Sequence, residues 1–146
     1  VVAATAQRPF FVFAPIQSDK TKESMIEINK ELHEILTARP PSAEEVTKVK
    51  NNLSLRLPGQ WETNNSVGNS VENIVRFKLA DDYYDKYAQA VLALTNPVVS
   101  AAAQKLLHPD NLVWVIVGDK AKIESGIREL NYGEVKYLDG DGKVIQ

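Results

Sequence analysis

The run Leu112-Val113-Trp114-Val115-Ile116-Val117 constrains the fold more than any other stretch of this chain. Six consecutive apolar residues, four of them β-branched, favour extended backbone, and a strand apolar on both sides has to be covered on both. The turn cluster His108-Pro109-Asp110-Asn111 precedes the run and Gly118-Asp119 follows it, so its length is that of a strand and not of a helix. The expectation is a strand near the centre of a sheet.

Other segments supply neighbours for it. Residues 1–7 and 10–17 are rich in β-branched and aromatic side chains, and Arg8-Pro9 breaks them into two adjacent strands of one antiparallel pair. Met25, Ile28, Leu32, Ile35 and Leu36 then fall on one helical stripe of about five turns, with Ser18 or Asp19 as its cap. The most direct place for that helix is on the sheet. Pro40-Pro41 stops it, and Ser42-Ala43-Glu44-Glu45 reads as a capping box that opens a second helix with Val46, Val49, Leu53 and Leu57 on one face. Pro58-Gly59 ends this one. A third helical stretch, from about Trp61 to Leu79, turns Val67, Val71, Ile74, Val75 and Leu79 inward. A fourth follows Asp81-Asp82 with Tyr84, Tyr87, Val91 and Leu94 inward, and Thr95-Asn96-Pro97 opens a fifth. A short helix carries Ile123, Ile127 and Leu130. Residues 135–138 and 144–145 close the chain as a hairpin around Asp139-Gly140-Asp141-Gly142. These elements predict an α+β fold, a mostly antiparallel sheet with several helices packed on it, in one domain spanning residues 1–146. The opening residues read as a strand entered part way, as in a chain cut from a longer one, although an excised leader leaves the same trace.

Composition narrows the function classes. Seventeen basic and 19 acidic residues give a formal charge of −2, which lacks the cationic excess of a nucleic-acid or anionic-membrane binder. The sequence has no run of roughly 18 apolar residues, so membrane insertion is not expected. There is no cysteine, hence no disulfide, thiolate metal site or cysteine nucleophile.

No complete catalytic constellation can be read from the residues. His33-Glu34-Ile35-Leu36-Thr37 has the start of a zinc-peptidase helix, but Thr37 stands where the second histidine belongs and Lys30 where the inverted motif needs one. His33 is read as an ordinary helix-surface residue, and His108 lies in a turn. Asp139-Gly140-Asp141-Gly142 is too near the end of the chain for a twelve-residue calcium loop. Glu44-Glu45 and Asp81-Asp82 sit at helix starts, where negative charge complements the helix dipole. The aromatic stretch 8–13 lacks the glycine pattern of an RNA-recognition strand. Tyr83, Tyr84 and Tyr87 either line a peptide-binding surface or serve as core or domain-contact residues. No serine stands in a nucleophile elbow and no glycine-rich phosphate loop occurs.

Three stretches together resemble a known family: Phe10-Phe11-Val12-Phe13-Ala14-Pro15-Ile16-Gln17-Ser18-Asp19-Lys20-Thr21, then Ser42 to Leu53, then Leu57-Pro58-Gly59-Gln60-Trp61-Glu62-Thr63. They are similar to the carboxyl-terminal, non-zinc domain of the pitrilysin and insulinase class of zinc metallopeptidases, the group that includes the mitochondrial processing peptidase. Pro15, Asp19, Lys20, Pro58, Gly59, Trp61, Glu62 and Thr63 carry the motif in a structural role. Residues 112–119 and Lys122-Ile123-Glu124 match the closing strand and helix. The resemblance implies a metallohydrolase-like domain that helps enclose peptide substrates, with zinc held by an H-x-x-E-H motif in a separate N-terminal domain or zinc-bearing partner subunit. It implies no zinc or other cofactor in this chain, no catalytic residue, and a clamp of arginine and tyrosine lying just before Val1. It further implies a bacterial periplasmic setting. The alternatives are a zinc-less structural or partner subunit of the same superfamily and an α+β interaction module.

Overall fold

The helix boundaries follow local signals that can be checked bond by bond. The computed structural model describes residues 9–145. Helix α1, Thr21–Glu34, is entered through a 3-10 turn at Ser18–Lys20, and the Thr21 hydroxyl donates to the Ser18 carbonyl at 2.9 Å. Ser18 and Asp19 therefore belong to the lead-in turn. Helix α2, Ala43–Leu55, starts at the expected capping box: the Glu45 amide donates to Ser42 Oγ at 3.2 Å and the Ser42 amide to Glu45 Oε2 at 2.8 Å. Pro58–Trp61 forms a second 3-10 turn, so α3 begins at Asn64 and not at Trp61. Thr63 caps it by accepting from the Ser66 amide at 3.2 Å, and it ends at Phe77 where Lys78 turns left-handed at φ 51°. Helices α4, Tyr83–Leu92, and α5, Asn96–Leu106, lead to a third 3-10 turn at Pro109–Asn111. Asp119 caps α6, Lys120–Leu130, and Asn131 ends it at φ 52°. Strands β1, Tyr137–Leu138, and β2, Val144–Ile145, pair antiparallel with Tyr137 opposite Ile145. Asp139 Oδ1 accepts from the amides of Asp141 and Lys143, both at 2.9 Å, which folds the predicted turn.

The chain divides into two compact units. The first is built on Ile35–His108. Its α2 packs along α4, with Val46, Leu57 and Val91 buried. Lys50 Nζ donates to the Leu94 carbonyl at 2.7 Å and Asn96 Nδ2 to the Pro41 carbonyl at 2.8 Å, which ties off both ends of the packed pair. The second unit combines Val12–Glu34 with residues 109–145. Here α1 packs on α6 through Met25 and Ile123, both buried. Gly126 permits the close approach, since a Cβ there would come within 3.3 Å of the Lys22 side chain. Lys22 Nζ bonds Glu129 across the same seam.

This architecture corrects the α+β expectation. The described residues are mostly helical, with six helices and a single two-stranded ladder in place of a mostly antiparallel sheet. Residues 10–17 and 112–117, both read as strands, join no ladder with another described residue, and the strand expected over residues 1–7 lies outside the described residues. The physical reason is that β-propensity sets backbone shape locally, whereas a ladder needs a second segment in register. Among the described residues only β1 and β2 have one, because a short turn brings them together. Helix α1 lies on α6 and not on a sheet.

Two inward stripes also come out differently. Along residues 112–117 the exposure alternates with the period of two that marks extended backbone: Leu112, Trp114 and Ile116 are half-buried, while Val113, Val115 and Val117 are 88, 78 and 95 % exposed. The segment is covered on one side, not both. On α3, Ile74 is half-buried but Val67, Val71 and Val75 are exposed.

Candidate functional site

The clearest concave feature of the first unit grows out of α4. Tyr83, Tyr87, Ala90 and Val91 fall three to four residues apart and so share one side of that helix. With Ala80, Asp82, Lys86 and Leu94 they line a cavity of about 440 Å³. Its floor is aliphatic and its wall is aromatic: Tyr83 and Tyr87 stand 6.0 Å apart between ring centres. Asp82 and Lys86, one turn apart, form an ion pair among the lining residues. Partial burial, with Tyr87 and Tyr84 adjacent, pushes the Tyr83 phenol above its ordinary pKa, so it stays a neutral hydrogen-bonding group. A groove of this chemistry accepts an apolar or aromatic side chain and offers hydroxyls to a main chain beside it.

Tyr84 has a different task. Its ring meets Trp61 edge-on at 5.7 Å and Tyr83 at 5.1 Å, so it joins the groove to the motif stretch 57–63. Trp61 is anchored in turn by Nε1 donating to Ser70 Oγ at 3.0 Å, and Ser70 donates onward to the Ser66 carbonyl at 3.0 Å. Pro58, Gly59, Trp61, Glu62 and Thr63 are thereby brought together as the connection between α2 and α3. Gly59 is not sterically compelled, because an added Cβ would meet only Glu62 Oε1, at 3.9 Å. Pro15, Asp19 and Lys20 belong to the second unit, where Pro15 lies in the irregular stretch before the Ser18–Lys20 turn.

The second unit holds two polar constellations that sequence reasoning missed. His33 Nδ1 lies 2.8 Å from the Asn29 carbonyl and Nε2 lies 3.1 Å from Asp110 Oδ1. Both ring nitrogens face acceptors, which suits the doubly protonated imidazolium. The Asn29 carbonyl first and the Asp110 carboxylate second hold the His33 pKa above its ordinary value. The pair is 77 positions apart in sequence, so no local pattern announces it. The other constellation is centred on Glu124, whose Oε1 accepts from Tyr137 and from Arg128 Nε at 2.8 Å. Arg128 Nη2 also donates to the Tyr137 hydroxyl at 2.9 Å, and Lys120 Nζ sits 3.8 Å above the Tyr137 ring. Tyr137 foremost, then Arg128, lowers the Glu124 pKa. Only the spacing of Glu124 to Arg128 was readable in advance.

Among the described residues no three His, Asp or Glu side chains converge as a metal site. His33 is committed to Asn29 and Asp110. No single helix among the described residues is long and apolar enough to cross a membrane; the pair Tyr83–Leu92 and Asn96–Asn111 has suitable composition but bends by 105°. No protein-family model, curated protein or solved structure matches the chain.

Proposed function

We propose that this chain is a substrate-enclosing, non-catalytic part of a zinc-dependent metalloendopeptidase of the pitrilysin and insulinase type, acting on peptides or unfolded protein. The zinc and the chemistry belong to an N-terminal domain or a partner subunit, and this chain supplies surface. The observation that carries the reading is the stretch 57–63: the segment of the resemblance with the most specific residues is also an ordered one, with Leu57 buried, Trp61 held by Ser70 and Tyr84, and Thr63 capping α3. The aromatic groove beside it supports contact with peptide side chains that differ in sequence, because tyrosine offers a broad apolar face and a polar tip at low entropic cost. Helices, in place of the anticipated sheet, make this surface. A bacterial periplasmic setting is part of the same proposal.

The test has two arms. The purified chain should hold no stoichiometric zinc after dialysis and should leave casein intact; tight zinc, or hydrolysis that a chelator abolishes, would overturn the reading. The coding sequence upstream of Val1 should carry H-x-x-E-H, and adding that region should restore chelator-sensitive cleavage. A parent gene without the motif would favour a zinc-less structural subunit instead.

A further inference from the structure

His33 stands at the base of the long excursion that the chain makes from Ile35 to His108, and we propose that it is a proton-operated clasp: the protonated ring pins the two ends of that segment together, and the neutral ring lets them part. The inference is independent of the peptidase reading.

Topology gives the residue this place. The second unit releases the chain after Glu34 and takes it back at Pro109. A further crossing lies between Phe11 and Val12, and the clasp concerns the other two. His33 is the next to last residue of α1, just before the exit, and Asp110 follows Pro109, just after the return. Residues 35–38 are turns and residues 107–108 are irregular, so both ends of the excursion are non-helical backbone. The contact from His33 Nε2 to Asp110 Oδ1, 3.1 Å across 77 positions of sequence, therefore joins the two ends directly. Valence makes that contact titratable. An imidazolium has two N–H donors, and here each has an acceptor: the Asn29 carbonyl at 2.8 Å from Nδ1 and the Asp110 carboxylate at Nε2. The neutral ring has one N–H, so one of these acceptors must then face a lone pair. Either the ring gives up Asp110, or it keeps Asp110 and loses its hold on α1. Both outcomes weaken the link between α1 and the Pro109–Asn111 turn.

The surroundings set the direction and the size. Among the described residues, the charged groups of α1 nearest His33 in sequence are Lys30, which pairs with Glu27, and Glu31 and Glu34. The turn brings Asp110. Helix α6, packed along α1, brings Lys120 and Arg128, both paired with Glu124, together with Lys122 paired with Asp119 and Glu129 paired with Lys22. His33 also lies in the last turn of α1, where the helix dipole favours a cation. The Asn29 carbonyl and then Asp110 favour the protonated ring, so the clasp is closed at low pH and opens as pH rises through a value above the ordinary one of about 6.5. The Asp110 side chain is 89 % exposed, so water competes for it and the clasp is reversible. A pair this exposed, with a cation at a helix end, changes a population by about two- to tenfold.

Spin labels at the two ends read the clasp directly. The chain has no cysteine, so Ala38→Cys with His108→Cys, both at exposed positions, gives one label on each side. The second substitution also leaves His33 as the one histidine, so its titration can be followed by proton NMR in the unlabelled protein. Electron–electron distance measurements should show a narrow distribution at about pH 5.5. At about pH 9 the share of longer distances should rise by about two- to tenfold, with the midpoint of the His33 titration. In that background His33→Lys, which keeps a cation at both pH values, should stay narrow at both, and Asp110→Asn should be spread at both. Equal distributions at the two pH values while His33 titrates would overturn the proposal, because the ring would then change charge without holding the ends. A pH-dependent spread that persists in His33→Lys would overturn it as well, by assigning the effect to another group.

Discussion

His33 shows how much a single exposed side chain can report. Its ring spans from the Asn29 carbonyl to Asp110 and so joins α1 to the Pro109–Asn111 turn. A raised folded-state pKa means that folding favours the protonated ring. The stabilisation is therefore complete below the unfolded value of about 6.5 and is lost as pH rises through the higher folded value. Asp110→Asn removes the carboxylate and should bring the His33 pKa down toward, though not fully to, the unfolded value, because the Asn29 carbonyl remains. A proton NMR titration checks this readily, since the only other histidine is His108. An unchanged His33 titration would show that the Asp110 contact does not persist in solution.

Among the elements, α2 states its origin most plainly. Ser42 and Glu45 satisfy each other's amides, and the Glu45 carboxyl is held below its ordinary pKa chiefly by the Ser42 backbone amide. Ser42→Ala should cost about 1 kcal/mol of the stability of the unit that contains α2. In a thermal melt followed by circular dichroism that is a loss of about 4–8 °C for a unit of this size. The cap was legible in the sequence because it is local, as were the six helices and the turn at 139–142. What was not legible is relational. Val67, Val71 and Val75 have helical spacing, yet spacing cannot say whether anything lies against them, and they are exposed. Tyr83 and Tyr87 stood out as residues, but the groove they line needed the fold of α4 beside Ala80 and Leu94.

At the scale of the whole molecule, residues 10–17 and 112–117 account for the wrong fold class. Their composition is that of buried strands, and buried strands require partners that sequence composition does not supply. Among the described residues they join no ladder, and the packing is organised around two helical seams, α2 with α4 and α1 with α6. A chain organised this way presents apolar surface that a finished sheet would have hidden.

Amide hydrogen exchange read by mass spectrometry tests this arrangement most directly. Peptides from α1 and α6 should be protected, whereas the amides of residues 112–117 should exchange near the rate of an unstructured chain. Protection of residues 112–117 equal to that of α6 would mean that the segment is held in a ladder and would contradict the helical account.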